Sequence, residues 1–337
     1  MTTRNCDSRK SSATSEFSAT AILAVTFFLL CACSGGGAGT VVTNSTPTIA
    51  LHLTEYTIPT ANSLPVAITA GPDGALWFTE ANKIGRVTTS GAFTEYAIPT
   101  ANSLPYGIIS GSDGALWFTE NGGNKIGRMT TSGAFTEYAI PSANSSPDGI
   151  AAGPDGALWF TEQYTGKIGR VTTAGAFTEY STSSADSFPG GITVGPDGAL
   201  WFTENNSIGR MTTSGTLTEY TIPTAASATQ HITVGPDGAL WFAEYVGKIG
   251  RVTTAGTFTE YAAPTVGGGP WGIATGSDGN LWFTVWQTST NIGKLTPTGA
   301  LTDYRASSSP QNITAGPDGA LWFTETAGNK IGRISPQ

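Results

Sequence analysis

The sequence predicts an all-β protein, a seven-bladed β-propeller of four-stranded blades, and three observations predict it. The triplet Leu-Trp-Phe recurs seven times, with its Trp at Trp77, Trp117, Trp159, Trp201, Trp241, Trp282 and Trp322, 40 to 42 residues apart. A period near 40 with β-type sequence marks propeller blades rather than a helical solenoid. An Asp-Gly pair precedes every copy, at the place where a tight hairpin needs a residue of positive φ. The composition agrees: only 12% of residues are charged and 44 are Gly, which suits strands joined by many tight turns.

Along the chain, the first element is an export signal. Arg4, Arg9 and Lys10 make a basic start, and Phe17–Leu30 is mostly apolar but too short to cross a bilayer comfortably. Leu30-Cys31-Ala32-Cys33 then resembles a bacterial lipoprotein signal, with Cys33 as the lipidated residue. Residues 1–32 are thus expected to be a removed signal peptide, residues 33–50 a lipid-anchored Gly/Ser/Thr-rich tether, and residues 51–337 the propeller. The expected location is the cell envelope, held to a membrane by lipid. An ordinary cleaved signal with release of the chain is the alternative. Cleavage before Cys33 leaves one Cys, so no disulfide is expected and the core must hold the fold. The net charge of −8 argues against a nucleic-acid surface, and a monomer is expected.

Blade one sets the pattern for the rest. Ala67–Ala70 is predicted as its innermost strand, Ala75–Glu80 as the second, Ile84–Thr88 as the third and Ala92–Ile98 as the outermost. These segments are rich in Thr, Phe, Tyr, Trp and Ile, which pack well on a pleated surface. The seven Trp are expected between blades, and the Arg of the recurring Ile-Gly-Arg is expected to support the blades or the surface. Thr-Glu-Tyr or Thr-Asp-Tyr occurs seven times, but its first copy, Thr54-Glu55-Tyr56, precedes the first Leu-Trp-Phe. The chain also ends after a third strand. Leu53–Ile58 is therefore predicted to supply the outer strand of the last blade, closing the ring and removing an exposed edge.

Strand order then places the site. The residue opening each innermost strand and the residue ending each second strand share one face of the disc. The opening residues are Val66, Tyr106, Asp148, Gly190, Gln230, Trp271 and Gln311; the closing residues are Glu80, Glu120, Glu162, Glu204, Glu244, Val285 and Glu325. Six Glu around one mouth are the residue type that holds a divalent cation or a cationic ligand. Repetition in six blades favours instead a structural cap, each Glu pairing with a Lys or backbone amide of its own blade, since six ionised and unpaired carboxylates would repel one another. Blade six breaks the pattern with Val285, Trp286 and Trp271, the two Trp being the only ones outside the triplets. They make either an apolar, stacking-capable ligand patch or a local repacking. A small-molecule or peptide ligand at the channel mouth is expected, contacted by Trp271, Trp286, Gln311, Tyr106 and Gln230.

Pro-X-Gly-Ile, Gly-Pro-Asp-Gly-Ala-Leu-Trp-Phe-Thr-Glu, Asn-Lys-Ile-Gly-Arg and Thr-Glu-Tyr-x-Ile-Pro, repeated over about residues 51–334, resemble the virginiamycin B lyase (streptogramin lyase) family. The resemblance implies a seven-bladed propeller. It also implies Mg²⁺-dependent elimination that opens cyclic streptogramin B depsipeptides at a threonine ester, with a base for the α-proton and a metal for the developing enolate. By that resemblance Glu325 is a catalytic and metal position, and Glu244 is a further candidate metal ligand. The positions where the family carries its catalytic His are Trp271 and Gln311 here, its metal-linked Tyr is Val66, and its acidic residue before the last His is Ser309. The chain has two His, His52 and His231, and neither matches a catalytic position. His231 is read either as a displaced base or as an incidental loop residue. The leading expectation is a binding propeller of the cell envelope, and the alternative is a Mg²⁺-dependent C–O lyase acting on streptogramin B or a related cyclic ester.

Overall fold

The computed structural model describes residues 52–263, 268–287 and 291–335. The expected signal peptide, Cys33 and the expected tether lie outside the described residues. The propeller consists of seven antiparallel sheets of four strands each. In blade one the strands are Ile68–Ala70, Leu76–Glu80, Lys83–Val87 and Phe93–Ala97, within a residue or so of the predicted bounds. The closing strand is His52–Thr57, one residue earlier than predicted. It pairs with Lys330–Ser335 and sets Tyr56 opposite Ile331.

Alternation along the second strand explains why all three residues of the triplet are buried. Leu76 and Phe78 pack against Ala320, Trp322 and Ile331 of blade seven, whereas Trp77 packs with Ile108, Leu116 and Phe118 of blade two. Each strand is thus buried on both faces by a different neighbour, and no blade is stable alone. All seven triplet Trp are fully buried. In the third strand Gly85 is required because a Cβ there would lie 2.1 Å from the Phe78 ring.

The Asp of each Asp-Gly turn does more than turn the chain. Gly74 takes φ 73°, while Asp73 Oδ1 accepts the Trp77 indole N–H at 2.8 Å and Oδ2 accepts Arg86 Nε–H at 2.7 Å. Arg86 lies 5.7 Å from the Trp77 ring centroid, and Tyr96 of the outer strand stacks on that ring at 5.7 Å. The repeated Arg therefore serves its own blade, through a charge-assisted bond and a cation–π contact. Blade six keeps the device with Lys294, which pairs with Asp278 at 2.8 Å.

Candidate functional site

The register confirms that opening and closing residues share a face. Pro105, just before Tyr106, pairs with Glu120, and Pro310, just before Gln311, pairs with Glu325. Their side chains nevertheless part. The six Glu turn into the seams between blades and are almost completely enclosed. Both carboxylate oxygens of Glu80, Glu120 and Glu244 lack a hydrogen-bond partner, as does one oxygen each of Glu162, Glu204 and Glu325. Glu325 Oε1 accepts the Ser308 N–H at 3.3 Å. Burial, reinforced by the charge of Glu137, pushes the Glu120 carboxyl up to about 7, and burial with Glu55 does the same to Glu325. The neighbouring outer-strand Glu137 goes the other way. Its own burial is outweighed by hydrogen bonds from Lys125 and Thr100, which hold it below the usual range. In blades one, two, three, five and seven the acid that resists ionising thus sits beside a salt-bridged carboxylate, whereas in blade four Ser207 stands where the others have Lys.

This arrangement fixes the sign of a pH effect. A folded value above the unfolded one gives stability that is complete below about 4.5 and lost as pH rises through about 7. The melting temperature is therefore expected to fall between pH 5.5 and pH 8. Glu120→Gln removes one such ionisation, and at pH 8 it is expected to add about 1 kcal/mol, or roughly 2–4 °C. Blade six already carries the uncharged Val285 at this position, 1% exposed and packed with Trp241 and Ile273. A Glu120→Gln protein that melts no higher than the parent at pH 8 would contradict this account.

With the Glu turned away, the channel mouth belongs to the opening residues. A cavity of about 100 Å³ is walled by Tyr106, Asp148, Gln230, His231 and Trp271, drawn from blades two, three, five and six. Gln311 lies beside Tyr106, and its Oε1 accepts the Thr326 hydroxyl at 2.6 Å. Trp286 packs on Trp271 with ring centroids 4.5 Å apart, and Tyr245 meets Trp271 edge-on at 6.2 Å. The structure thus groups Tyr106, Gln230, Trp271, Trp286 and Gln311, and it leaves Glu244 and Glu325 outside the cavity wall. Val285 belongs to the core, so the apolar character of blade six at the mouth comes from the two Trp.

Two members of the site went unassigned by sequence reasoning. Asp148 is the acidic residue among the seven opening positions, a visible signal. It is half-buried, Gln163 Nε2 lies 3.4 Å from its Oδ2, and burial pushes its carboxyl up to about 7. His231 is no loop residue; it lies on the innermost strand Thr229–Val234, walls the cavity, and is pushed down to about 4 by burial. An apolar shelf of about 340 Å³ adjoins the cavity through Tyr106 and Gln163 and carries Leu64, Leu104 and Tyr164. Leu64 and Leu104 are 51% and 55% exposed and sit at φ 51° and 43°. The left-handed backbone recurs at Ser146, Phe188 and Ala228, the equivalent positions of other blades, so it belongs to the repeat, and only the exposed apolar side chains of Leu64 and Leu104 mark the shelf.

A family model described as the virginiamycin B lyase family matches residues 44–186 and 181–337. The chain belongs to the virginiamycin B lyase family. A solved streptogramin B lyase is 42% identical with a TM-score of 0.81, over 85% of this chain and 97% of that one. Virginiamycin B lyase from Staphylococcus aureus is 41% identical with a TM-score of 0.81, over 86% of this chain and all of its own (100%). A catalytically inactive form of the S. aureus enzyme with quinupristin matches at 40% identity, TM-score 0.81, over 86% and 100% of the two chains.

Membership sharpens the question of magnesium. Mg²⁺ takes oxygen ligands in near-octahedral geometry, usually one or two carboxylates with waters. Glu244 and Glu325 are fully buried, and neither lines the mouth cavity where such waters would stand. Glu325 is enclosed beneath Ser308, and the positions that the resemblance fills with His hold Trp271 and Gln311. The residues present do not fit a magnesium centre at Glu325 or at Glu244.

Proposed function

We propose that this member of the virginiamycin B lyase family is a ligand-binding propeller whose site is the channel mouth. Its ligand is a small cyclic peptide or ester with apolar side chains. One observation carries the reading: Tyr106, Asp148, Gln230, His231 and Trp271 converge from four blades on one cavity that opens onto an apolar shelf. Aromatic walls with a few placed polar groups are the ordinary make-up of a small-molecule site. Trp271 and Trp286 would stack on a ring of the ligand, the shelf around Leu64 and Leu104 would take its aliphatic groups, and the cavity would take its polar atoms. The basic start and the Leu30–Cys33 segment support placing this work outside the cytoplasm, tethered through Cys33.

The second reading is the family reaction, ring opening of a cyclic ester by elimination. It is favoured by identity of 40–42% to solved lyases along almost their whole length. Quinupristin separates the two. The protein is incubated with it while calorimetry follows binding and chromatography with fragmentation follows ring opening, since elimination leaves the mass unchanged. Binding without opening, indifferent to chelator, is the expected result. Opening that chelator abolishes would establish the lyase reading instead, and well-folded protein that neither binds nor opens the ring would remove this ligand class.

A further inference from the structure

One step below the opening residues the repeat calls for small side chains, met by Ala67, Gly107, Gly149, Gly191 and Gly272. Blades five and seven depart from it with His231 and Asn312, on either side of Gly272 of blade six. These two side chains meet, with Asn312 Nδ2 3.4 Å from His231 Nδ1. His231 walls both the mouth cavity and the channel beneath it, so this pair is the polar constriction between them.

The contact has a direction. Asn312 Oδ1 accepts the Ile68 N–H at 3.3 Å, which turns the amide NH₂ toward the imidazole. An amide NH₂ only donates, so Nδ1 is the bare nitrogen and the ring proton sits on Nε2. Burial disfavours a second proton, and the ring stays neutral across the physiological range. That is the wrong tautomer for a displaced base, because the nitrogen left for a ligand carries hydrogen. Trp271, whose ring lies 6.5 Å from that of His231, also has an indole N–H without an acceptor. Asp148 is the carboxyl that shares the cavity wall, and no Lys or Arg is among the described residues lining it.

We infer that His231, fixed by Asn312 as a neutral Nε2–H donor, is a binding residue of the mouth that takes the carbonyl oxygen of an uncharged ester or amide. The inference rests on the mouth being the ligand site. It selects carbonyl-bearing ligands over cations, against the expectation raised by six Glu on the same face.

Only His52 and His231 are present, so ¹⁵N-histidine labelling of the whole protein gives two ring systems, assigned with His52→Gln. Long-range ¹⁵N–¹H correlation spectra are expected to show His231 as the Nε2–H tautomer, without titration between pH 5.5 and 8. An Nδ1–H tautomer or an imidazolium in that range would overturn the proposal. Asn312→Asp presents an oxygen that only accepts, which forces the proton onto Nδ1 and bares Nε2. That inversion is expected to weaken quinupristin at least about tenfold, the scale of one lost hydrogen bond to a buried group. His231→Phe keeps a ring in the constriction without the N–H and is expected to lose as much. If wild type binds quinupristin and His231→Phe binds it equally, the donor role is wrong and the mouth remains the site. If wild type does not bind it, the reading of the mouth fails for this ligand class and the donor role falls with it.

Discussion

Removing residues 52–57 is expected to lower the melting temperature by about 10–20 °C, which corresponds to roughly 5 kcal/mol in a chain of this size. That strand has six partners in Lys330–Ser335, and its loss leaves the last blade with three strands and a bare edge. It also removes the stack of Tyr56 on Trp322, at 5.6 Å, and the Glu55–Lys330 ion pair at 2.8 Å. Burial of side chains of this size is worth about 1.5–3 kcal/mol each, and a stacked aromatic pair adds about 0.5–1.5 kcal/mol. The chain just beyond is fixed as well: Asn329 Nδ2 donates to the carbonyls of Ile58 and Thr60, and Asn329 Oδ1 accepts the Ser63 N–H. Tyr56→Ala is the milder probe, and Tyr138→Ala is its control, because Tyr138 makes the same stack on Trp117 inside one continuous blade. Tyr56→Ala should cost more, since of the two stacks only that of Tyr56 joins the first strand to the last blade. Equal costs by denaturant melts, or a truncated chain that melts like the parent, would show that ring closure adds nothing.

The fold was legible in the sequence because each repeat states the same physics. Leu-Trp-Phe needs a neighbour on both faces, Asp-Gly needs a positive φ and a Trp N–H to bind, and the displaced Thr54-Glu55-Tyr56 declares the closure. The site was legible in position but not in direction. Strand order correctly put Glu325 and Gln311 on one face, yet it carries no information on which way a side chain turns at a strand end. Glu325 turns into the seam and Gln311 toward Tyr106. The strongest periodic signal, six Glu, thus belongs to the architecture. The residues of the mouth are those that break a period: Trp271 and Trp286 in blade six, Asp148 among the opening positions, and His231 and Asn312 where four blades have Gly. The shelf at Leu64 and Leu104 was hidden for another reason. Their exposure follows from a left-handed backbone before a proline, and residue type alone does not announce it.

Trp271→Ala is expected to weaken quinupristin binding by about 10- to 100-fold, the loss that follows truncation of a central aromatic anchor. Trp271 is half-buried at the cavity wall, where it touches Trp286, Tyr245 and His231, so its removal takes away the surface against which all three are held. Trp271→Phe separates two contributions. It keeps a stacking face but loses the unpartnered indole N–H, and it should fall between wild type and Trp271→Ala if the ligand supplies the missing acceptor. Glu325→Gln is the decisive partner to this pair. Its carboxyl lies in the seam beneath Ser308, pushed up to about 7 by burial and by Glu55, and so is largely uncharged at mildly acidic pH. The amide should leave quinupristin affinity within about twofold of wild type while raising thermal stability at pH 8, in line with Glu120→Gln. A metal-dependent lyase centred on Glu325 makes the opposite forecast: turnover collapses with Glu325→Gln, whereas Trp271→Ala mainly raises KM. The two variants measured side by side therefore distinguish a mouth built for binding from a seam built for chemistry, and the placement of the carboxyl favours the first.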